Sequence, residues 1–278
     1  LADLSHEAAV LQPGAMSQRL TLPTDSAELL PLAQRFNEVL ARMEKAWNQL
    51  EGFNADVAHE LRTPLAIMIS GAELALARGR SADEMREVLE SHLEELRALG
   101  SMVNDMLFLA RADRGYAAED LQALSLREQA VNVSEFVEIL LEEKRQTLQI
   151  SGDATAPVNR ILFRRALVNL LTNASRHAPP GAEISLCIET PPGEASITVV
   201  NPGAAIPQDT QQHMFERFWR GESSRAMAGD RFGLGLAIVR AIAHMHHGDS
   251  FVHSSPGRTE IGFTLATGGV GPHTPPLP

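Results

Sequence analysis

The stretch LLPLAQRFNEVLARMEKAWNQLEGFNADVAHEL, residues 29–61, decides the fold of the first part of the chain. Its apolar residues recur at alternating spacings of four and three, the heptad pattern of a coiled coil. This first seam comprises Leu29, Ala33, Phe36, Leu40, Met43, Trp47, Leu50, Asn54, Val57 and Leu61. Asn54 is its one polar member, of the kind that fixes helix register at a cost in stability. The stretch therefore predicts a long amphipathic helix.

A second seam follows a break at residues 78–81, where Ser81 and Glu84 have the spacing of a capping box. Its members are Met85, Leu89, His92, Leu96, Leu99, Val103, Met106 and Ala110. Two such helices joined by a tight turn form an antiparallel hairpin, which cannot bury both apolar stripes well alone. We therefore expect two copies to pair into a four-helix bundle. His92 is interpreted as a histidine at the edge of the core rather than a ligand.

After residues 113–115 the pattern changes to a mixture of strands and helices without regular βαβ alternation, which predicts an α+β sandwich. Strands are predicted at 183–189, 194–201 and 260–266, and helices at 134–148, 160–177 and 234–247. The lead-in, residues 1–22, is expected to be a short helix or disordered. The Gly- and Pro-rich tail, residues 268–278, is expected to be disordered.

Composition excludes several classes of function. The formal net charge of -11 argues against general nucleic-acid binding, which requires a basic face. The single cysteine, Cys187, excludes a disulfide framework and a multi-cysteine metal site. Because it lies in an alternating, strand-like segment, a buried structural thiol is predicted. A helix that crosses a membrane needs a run of about 18 apolar residues, and no such run occurs. The first residues also lack the pattern of a signal peptide. Neither a transmembrane helix nor a signal peptide is therefore expected in these 278 residues.

His59 is the first candidate for chemistry. It lies two residues past Val57 of the seam, about 200° around the helix, so its imidazole is predicted to face solvent. An exposed neutral imidazole is a competent nucleophile, and Glu60 can accept the proton of its other ring nitrogen. Thr63 shares the His59 face and could orient a water molecule for the reverse, hydrolytic step. Pro64 removes a helical hydrogen bond and is expected to bend the helix. Alone, a His-Glu pair on a helix is more often just a solvated polar face.

The second half of the chain contains further polar and glycine-rich groups. Asn169 and Asn173 are four residues apart on a predicted helix, where their amide oxygens suit Mg²⁺, and Arg176 can reach a phosphate. Next come Asn201-Pro-Gly203 after a predicted strand, then residues 215–220, a small, polar and flexible stretch to Asp230, and Gly233-Leu-Gly235 opening a helix. Glycines before a helix offer backbone N–H groups to phosphate. Each group alone is weak support for a nucleotide site.

Taken in order, these groups closely resemble a bacterial sensor histidine kinase over roughly residues 20–266. Residues 59–64 resemble the phosphoacceptor box, 169–173 the N box, 201–203 the first glycine box, 215–218 the F box and 233–235 the second glycine box. Residues 28–40 also resemble the last helix of a HAMP signal-transfer module. An Asn-Pro-Gly box is similar to that of the heavy-metal-type sensor kinases.

The resemblance implies a role for each matching residue. His59 would be the phosphoacceptor, Glu60 its base and Thr63 the residue for phosphatase activity, while Asn173 would bind Mg²⁺ with help from Asn169. The residues implied in ATP binding are Asn169, Asn173, Arg176, His177, Asn201, Gly203, Ile206, Phe215, Phe218, Arg220, Arg225, Gly233, Leu234, Gly235, Leu236 and Thr259. The partners implied are a second copy of the chain and a response regulator whose aspartate receives the phosphoryl group.

The resemblance also implies the domain organisation. A HAMP remnant and coiled-coil lead-in would occupy residues 1–44, a dimerisation and phosphotransfer hairpin 45–114, and a Bergerat-type α/β sandwich that binds ATP 115–267, before the disordered tail at 268–278. Members of this family carry transmembrane helices before the HAMP segment. The chain is therefore expected to be the cytoplasmic portion of an inner-membrane receptor.

Three residues depart from the family pattern. Asn201 stands where most members have aspartate, Arg231 replaces the first glycine of the second glycine box, and Arg258 replaces the glycine before Thr259. Two alternatives therefore stay open beside an active kinase. The first is a catalytically weak signalling scaffold, in which Arg231 and Arg258 prevent efficient turnover of ATP. The second is an ATPase of the same fold that uses ATP as a conformational clamp, for which an exposed His59 would have no use.

Overall fold

The computed structural model describes residues 30–77, 79, 81–221 and 232–268. The chain divides into two compact units, Leu1–Arg80 and Ser81–Pro278. The expectations for residues 1–22 and for most of the tail lie outside the described residues. So do those for the flexible stretch after Gly221, including Arg225 and Arg231.

The described part of the first unit is one long helix, α1 (Leu30–Ala77), which continues through Pro64. Most apolar residues of the first half of its seam are exposed, by 37% at Phe36, 50% at Met43, 43% at Trp47 and 53% at Leu50. Leu40, by contrast, is only 6% exposed. Such extensive solvent exposure of apolar side chains is typical of a helix that associates with another element.

The second unit begins with helix α2 (Ala82–Ala112), and the predicted capping box at its start is confirmed. The Glu84 N–H donates to Ser81 Oγ at 3.3 Å, and the Ser81 N–H donates to Glu84 Oε2 at 2.8 Å. Leu99, Met102 and Leu109 are buried on one face of α2, whereas Leu89, Leu96 and Val103 of the predicted seam are exposed. His92 is half-buried, in agreement with a position at the edge of a core.

The α/β part of the second unit alternates irregularly between strands and helices, as predicted. Its elements are β1 (Gln122–Ser125), α3 (Leu126–Glu143), β2 (Thr147–Gly152), β3 (Thr155–Val158), α4 (Arg160–His177), β4 (Glu183–Glu189), β5 (Glu194–Asn201), α5 (Gln208–His213), α6 (Gly235–Met245), β6 (Ser250–Ser255) and β7 (Arg258–Ala266). Strands β2-β4-β5-β7-β6 form a five-stranded sheet in that order, and β1 pairs with β3 in a separate antiparallel ribbon. The β2–β4 pair is parallel and the other pairs are antiparallel, so the sheet is mixed.

Helices α3, α4 and α6 cover one face of this sheet. The alternate residues of the central strands that point to the helices are buried, and the Phe163 and Phe263 rings pack edge to face with centroids 6.0 Å apart. The predicted fold class, long helices followed by an α/β sandwich, is confirmed. Pairing of two chains into a four-helix bundle stays a prediction.

Two predictions in this part of the chain were wrong. The helix predicted at 134–148 spans Leu126–Glu143, because Ser125 caps its start and Arg145 takes a left-handed conformation (φ 55°) just past its end. Cys187 is half-buried rather than buried. The alternation of β4 places Ile184, Leu186 and Ile188 under the helices and therefore Cys187 on the opposite, open face.

No helix in the described ranges combines the length and apolar character that crossing a bilayer requires.

Candidate active site

The second unit contains a cavity of about 800 Å³ at the end of the sheet where β5 stops and β7 starts. Helix α4 supplies one wall, with Asn173, Arg176 and His177. Arg176 and His177 follow Asn173 by three and four positions, so both share its face of the helix. The wall therefore presents an amide and a guanidinium to the cavity. This cationic group lies in a chain whose net charge is strongly negative.

One deeply buried polar side chain of the cavity is Asn201, the last residue of β5, which is only 4% exposed. Its Nδ2 donates to the Pro202 carbonyl at 3.1 Å, an arrangement that keeps Oδ1 as an acceptor. Thr259 is equally buried, and its Oγ1 lies 2.9 Å from Ser254 Oγ. Ser254 Oγ in turn accepts from the Ile206 N–H at 2.9 Å, so this side of the cavity is fixed by a chain of hydrogen bonds.

Two of the sequence groups approach each other closely beside the cavity. Phe218 has a positive φ of 59°, which is uncommon for a residue with a side chain. Gly233 has φ 62°, and a Cβ there would lie 2.7 Å from the Trp219 carbonyl oxygen and 3.0 Å from the Phe218 carbonyl carbon. Only glycine allows this approach. Gly233 thus holds the residues before the undescribed segment against those after it.

The cavity brings together many of the residues that the sequence predicts to bind a nucleotide. Those that line it are Asn173, Arg176, His177, Asn201, Gly203, Ile206, Arg220, Gly233, Leu236 and Thr259. Phe215 and Leu234 are buried beside it, Phe218 and Gly235 flank its lining residues, and Arg225 lies outside the described residues. Asn169 is not part of the lining, and its Nδ2 donates to the Arg165 carbonyl of its own helix at 2.9 Å.

Sequence reasoning missed several lining residues, namely Ala204, Ala205, Pro207, Thr210, Met214, Trp219, Gly221 and Ile261. Two of them carried a usable signal. Ile261 is two residues from Thr259 on a strand and therefore shares its face, and Trp219 lies between Phe218 and Arg220 in a group already singled out. The loop residues before α5 reach the cavity only through tertiary packing.

Arg258, one of the three departures from the family pattern, does not line the cavity. Its Nε donates to Glu260 Oε1 at 2.6 Å, and both residues alternate with Thr259 on β7. The Arg258 side chain is 60% exposed on the opposite face of the strand. The arginine therefore takes no space from the cavity.

In the first unit, His59 and Thr63 are exposed on α1, whereas Val57, Glu60 and Leu61 are half-buried. The prediction that His59 points away from the seam agrees with this pattern. The residue is accessible for reaction, and the carboxylate of Glu60 is its neighbour in the chain.

Comparison with protein families gives two matches. Residues 49–115 match the His Kinase A (phospho-acceptor) domain, which contains His59. Residues 158–268 match the histidine kinase-, DNA gyrase B- and HSP90-like ATPases. This matched range includes all the residues that line the cavity. The first match includes residues 59–64, and the second includes residues 169–173, 201–203, 215–218 and 233–235.

Individual relatives agree with these matches. The chain is 39% identical to the sensor protein CzcS of Cupriavidus metallidurans over 90% of its own length and 52% of that protein. It is 38% identical to the sensor histidine kinase CusS of Escherichia coli K12 over 89% of its length and 52% of that protein. The chain thus spans about half the length of the curated relatives that it matches.

A crystal structure of histidine kinase ThkA in complex with response regulator protein TrrA has the same fold. Its TM-score is 0.64 at 19% identity, and the alignment covers 81% of this chain and 64% of that one. The two family matches and the identity to curated sensor kinases show that this chain belongs to the sensor histidine kinases, with relatives of the heavy-metal type.

Proposed function

We propose that this chain binds Mg-ATP in the cavity of its second unit and transfers the γ-phosphoryl group to His59. The observation that carries the proposal is the presence, in one chain, of an exposed histidine followed by glutamate and of a large cavity lined by amide and cationic side chains. Membership of the sensor histidine kinases supports the same reaction.

The cavity suits a nucleotide in size and in chemistry. Its volume of about 800 Å³ is within the range of small-molecule sites. Asn201 Oδ1 can accept from the amino group of adenine, and Arg176 and Arg220 can bind phosphate oxygens. Helix α6 starts at Gly235 without a side-chain cap, so its first N–H groups and its dipole favour an anion at this end.

The amide oxygen of Asn173 is a suitable hard ligand for Mg²⁺ beside phosphate oxygens, and it lies in the cavity wall. We assign Asn169, one turn earlier on α4, the role of its helper. When bound, the metal ion neutralises charge on the phosphate oxygens. The cationic side chains of Arg176 and Arg220 would act on the same charge.

At His59, one ring nitrogen attacks the γ-phosphorus in line while the bond to the bridging oxygen of ADP breaks. The carboxylate of Glu60 accepts the proton from the other ring nitrogen, so the phosphorylated imidazole is neutral at the ring. A phosphoryl group on imidazole nitrogen is labile. This lability suits its transfer to an aspartate of a response regulator.

We further propose that Thr63, one turn from His59 on the exposed face of α1, positions water for dephosphorylation of that regulator. A response regulator is the partner of the structurally similar kinase ThkA. The working form is proposed to be a homodimer. We also propose that the chain is the cytoplasmic portion of an inner-membrane receptor, as its resemblance to sensor kinases with transmembrane helices before a HAMP segment implies.

Incubation with γ-labelled ATP and Mg²⁺ tests the proposal directly. The chain should acquire a label that is labile in acid and stable in base, and His59→Gln should abolish it. His244→Gln is a matched control, because it removes an exposed imidazole of the second unit, outside the phosphoacceptor sequence, and should retain the label. Bound ATP without any label in the wild-type chain would contradict the kinase and favour the signalling scaffold.

A further inference from the structure

The end of helix α4 is held by two side chains that have no part in the proposed chemistry. Gln146 is only 6% exposed, and its Nε2 lies within hydrogen-bond distance of the carbonyl oxygens of Ser175 (3.0 Å), Ala178 (3.1 Å) and Pro179 (3.2 Å). Lys144 Nζ also donates to the Ser175 carbonyl, at 2.9 Å. The side chain of Ser175 is fully buried, and its Oγ donates to Gln146 Oε1 at 2.6 Å. We call Lys144, Gln146 and Ser175 the carbonyl clamp.

The carbonyl clamp acts at the point where a helix is least constrained. The last four carbonyl groups of an α-helix have no donor in a following turn, so this turn frays unless other groups satisfy them. The positive charge of Lys144 also interacts favourably with the C-terminal end of the helix dipole. In this turn the Ala174 carbonyl accepts from the Ala178 N–H at 2.8 Å and the Ser175 carbonyl accepts from the carbonyl clamp. The carbonyl clamp also holds the carbonyls of Ala178 and Pro179, so it fixes the end of α4 together with the chain that follows it.

The carbonyl clamp is itself anchored to the sheet. The Gly181 N–H donates to the Lys144 carbonyl at 2.9 Å, and the Thr147 N–H donates to the Ala182 carbonyl at 3.1 Å. The parallel pairing of β2 with β4 starts directly after these bonds, at Thr147 and Glu183. Through the carbonyl clamp, the last turn of α4 is thus connected to the start of the β2–β4 pair of the sheet.

This last turn carries Arg176 and His177, which line the cavity. We propose that Gln146 is a positioning residue for nucleotide binding, which acts through Arg176 by holding the last turn of α4 in the orientation that presents the guanidinium to the phosphates. The inference rests on the proposed function, because it assigns Arg176 to phosphate. It adds a residue outside the cavity to the nucleotide site.

A double-mutant cycle on nucleotide affinity tests the route through Arg176. Binding of a non-hydrolysable ATP analogue with Mg²⁺ is measured by titration calorimetry on the full chain. Gln146→Leu removes the hydrogen bonds at similar volume and should raise the Kd about tenfold, the factor equivalent to roughly 1.4 kcal/mol. Arg176→Ala should have an effect of similar size. The double variant should resemble the weaker-binding single variant rather than show the product of the two effects.

Asn159→Ala separates positioning from simple loss of stability. Asn159 Oδ1 accepts from the Leu162 N–H at 3.0 Å and caps the other end of the same helix, away from the cavity. Its replacement should lower the melting temperature to a similar extent as Gln146→Leu but leave the Kd unchanged. If Gln146→Leu does not fold, Ser175→Ala and the less buried Lys144→Met replace it, with smaller increases in Kd.

The outcomes distinguish the two proposals. Multiplicative effects of Gln146→Leu and Arg176→Ala, or equal affinities of Gln146→Leu and Asn159→Ala, would overturn the positioning role and leave nucleotide binding intact. A wild-type chain that does not bind the analogue would overturn the proposed function itself, and the positioning role with it.

Discussion

At the scale of single residues, His246 is the clearest case of burial deciding a chemical state. It is 3% exposed at the end of α6. Its Nε2 accepts from the Asn159 N–H at 3.1 Å, which requires the proton on Nδ1, and that atom lies 2.8 Å from the Ile242 carbonyl oxygen. Burial lowers the pKa of His246 from its ordinary value, because the cation would lose its hydration. The hydrogen bond to the Ile242 carbonyl opposes this shift of the pKa, and neighbouring His247 adds to it.

The lowered pKa of His246 predicts a loss of stability in mild acid. The unfolded chain binds a proton near pH 6.5 and the folded chain resists it, so this residue's contribution is complete above about pH 6.5 and declines below it. His246→Gln keeps an acceptor and a donor but does not titrate. We expect it to be less stable than the wild type at pH 7.5, by about 1 kcal/mol, with the gap closing toward pH 5.5.

Urea denaturation at both pH values, followed by Trp219 fluorescence in a Trp47→Phe background, measures this difference. The background is needed because the chain has two tryptophans. A gap of equal size at pH 7.5 and pH 5.5 would show that His246 does not titrate as a buried neutral residue.

At the scale of secondary-structure elements, α2 packs on α6 and is also joined to the α/β part of its own unit by charged residues. Arg165 of α4 forms an ion pair with Asp105, and its guanidinium carbon lies 4.3 Å from the centre of the Phe108 ring. Arg217 pairs with Asp113 just past the end of α2. The Arg165 and Asp105 side chains are only 29% and 26% exposed, so water screens this pair less than a surface pair.

We therefore predict a measurable coupling between Asp105 and Arg165. In a double-mutant cycle of Asp105→Ala and Arg165→Ala, the coupling in the free energy of unfolding of the second unit should be about 1 kcal/mol. The Trp219 fluorescence assay reports on this unit. Arg35 and Glu38 form a matched control pair, 3.1 Å apart but 81% and 58% exposed, for which a cycle in the first unit, followed by circular dichroism, should give almost no coupling. Equal coupling in both pairs would refute the role of burial.

The elements also show which parts of the fold the sequence could predict. Strands β4 and β5 and helix α4 have the predicted bounds, because each has strong periodicity and burial on one face. Strands β2 and β6, at the edges of the sheet, are rich in polar residues and were missed. The end of α3 was misplaced because Gln146, whose N–H donates to the Leu141 carbonyl, is fixed by contacts with residues about thirty positions later in the chain.

The candidate site shows the same division. Residues in ordered motifs, such as Asn173, Asn201 and Gly233, were identified because motif order carries information that no single residue does. Met214 and Thr210 reach the cavity through the packing of α5, a short helix with no periodic signal in the sequence. Gln146 belongs to no recognised motif. It lies thirty positions before Arg176 in the chain, and only the folded structure brings its side chain to the helical turn that carries Arg176.

At the scale of the whole molecule, several apolar side chains along α2 are exposed to solvent. Leu89, Leu96 and Val103 are 61%, 55% and 45% exposed, and all three belong to the heptad seam. A row of exposed apolar side chains along one helix is typical of an association surface. In a symmetric dimer each chain would cover the same surface of the other.

The double variant Leu89→Glu and Leu96→Glu should therefore be monomeric. Burying two carboxylates in an apolar seam is costly unless they are paired, so association should be lost while the α/β part stays folded. Light scattering after size exclusion should give 30.2 kDa for the variant and twice that mass for the wild type. Ile161→Glu is the matched control, because Ile161 is 77% exposed on α4 outside the seam, and its mass should remain that of the wild type. A dimeric double variant would place the association surface elsewhere, and a monomeric control would mean that any new surface charge separates the chains.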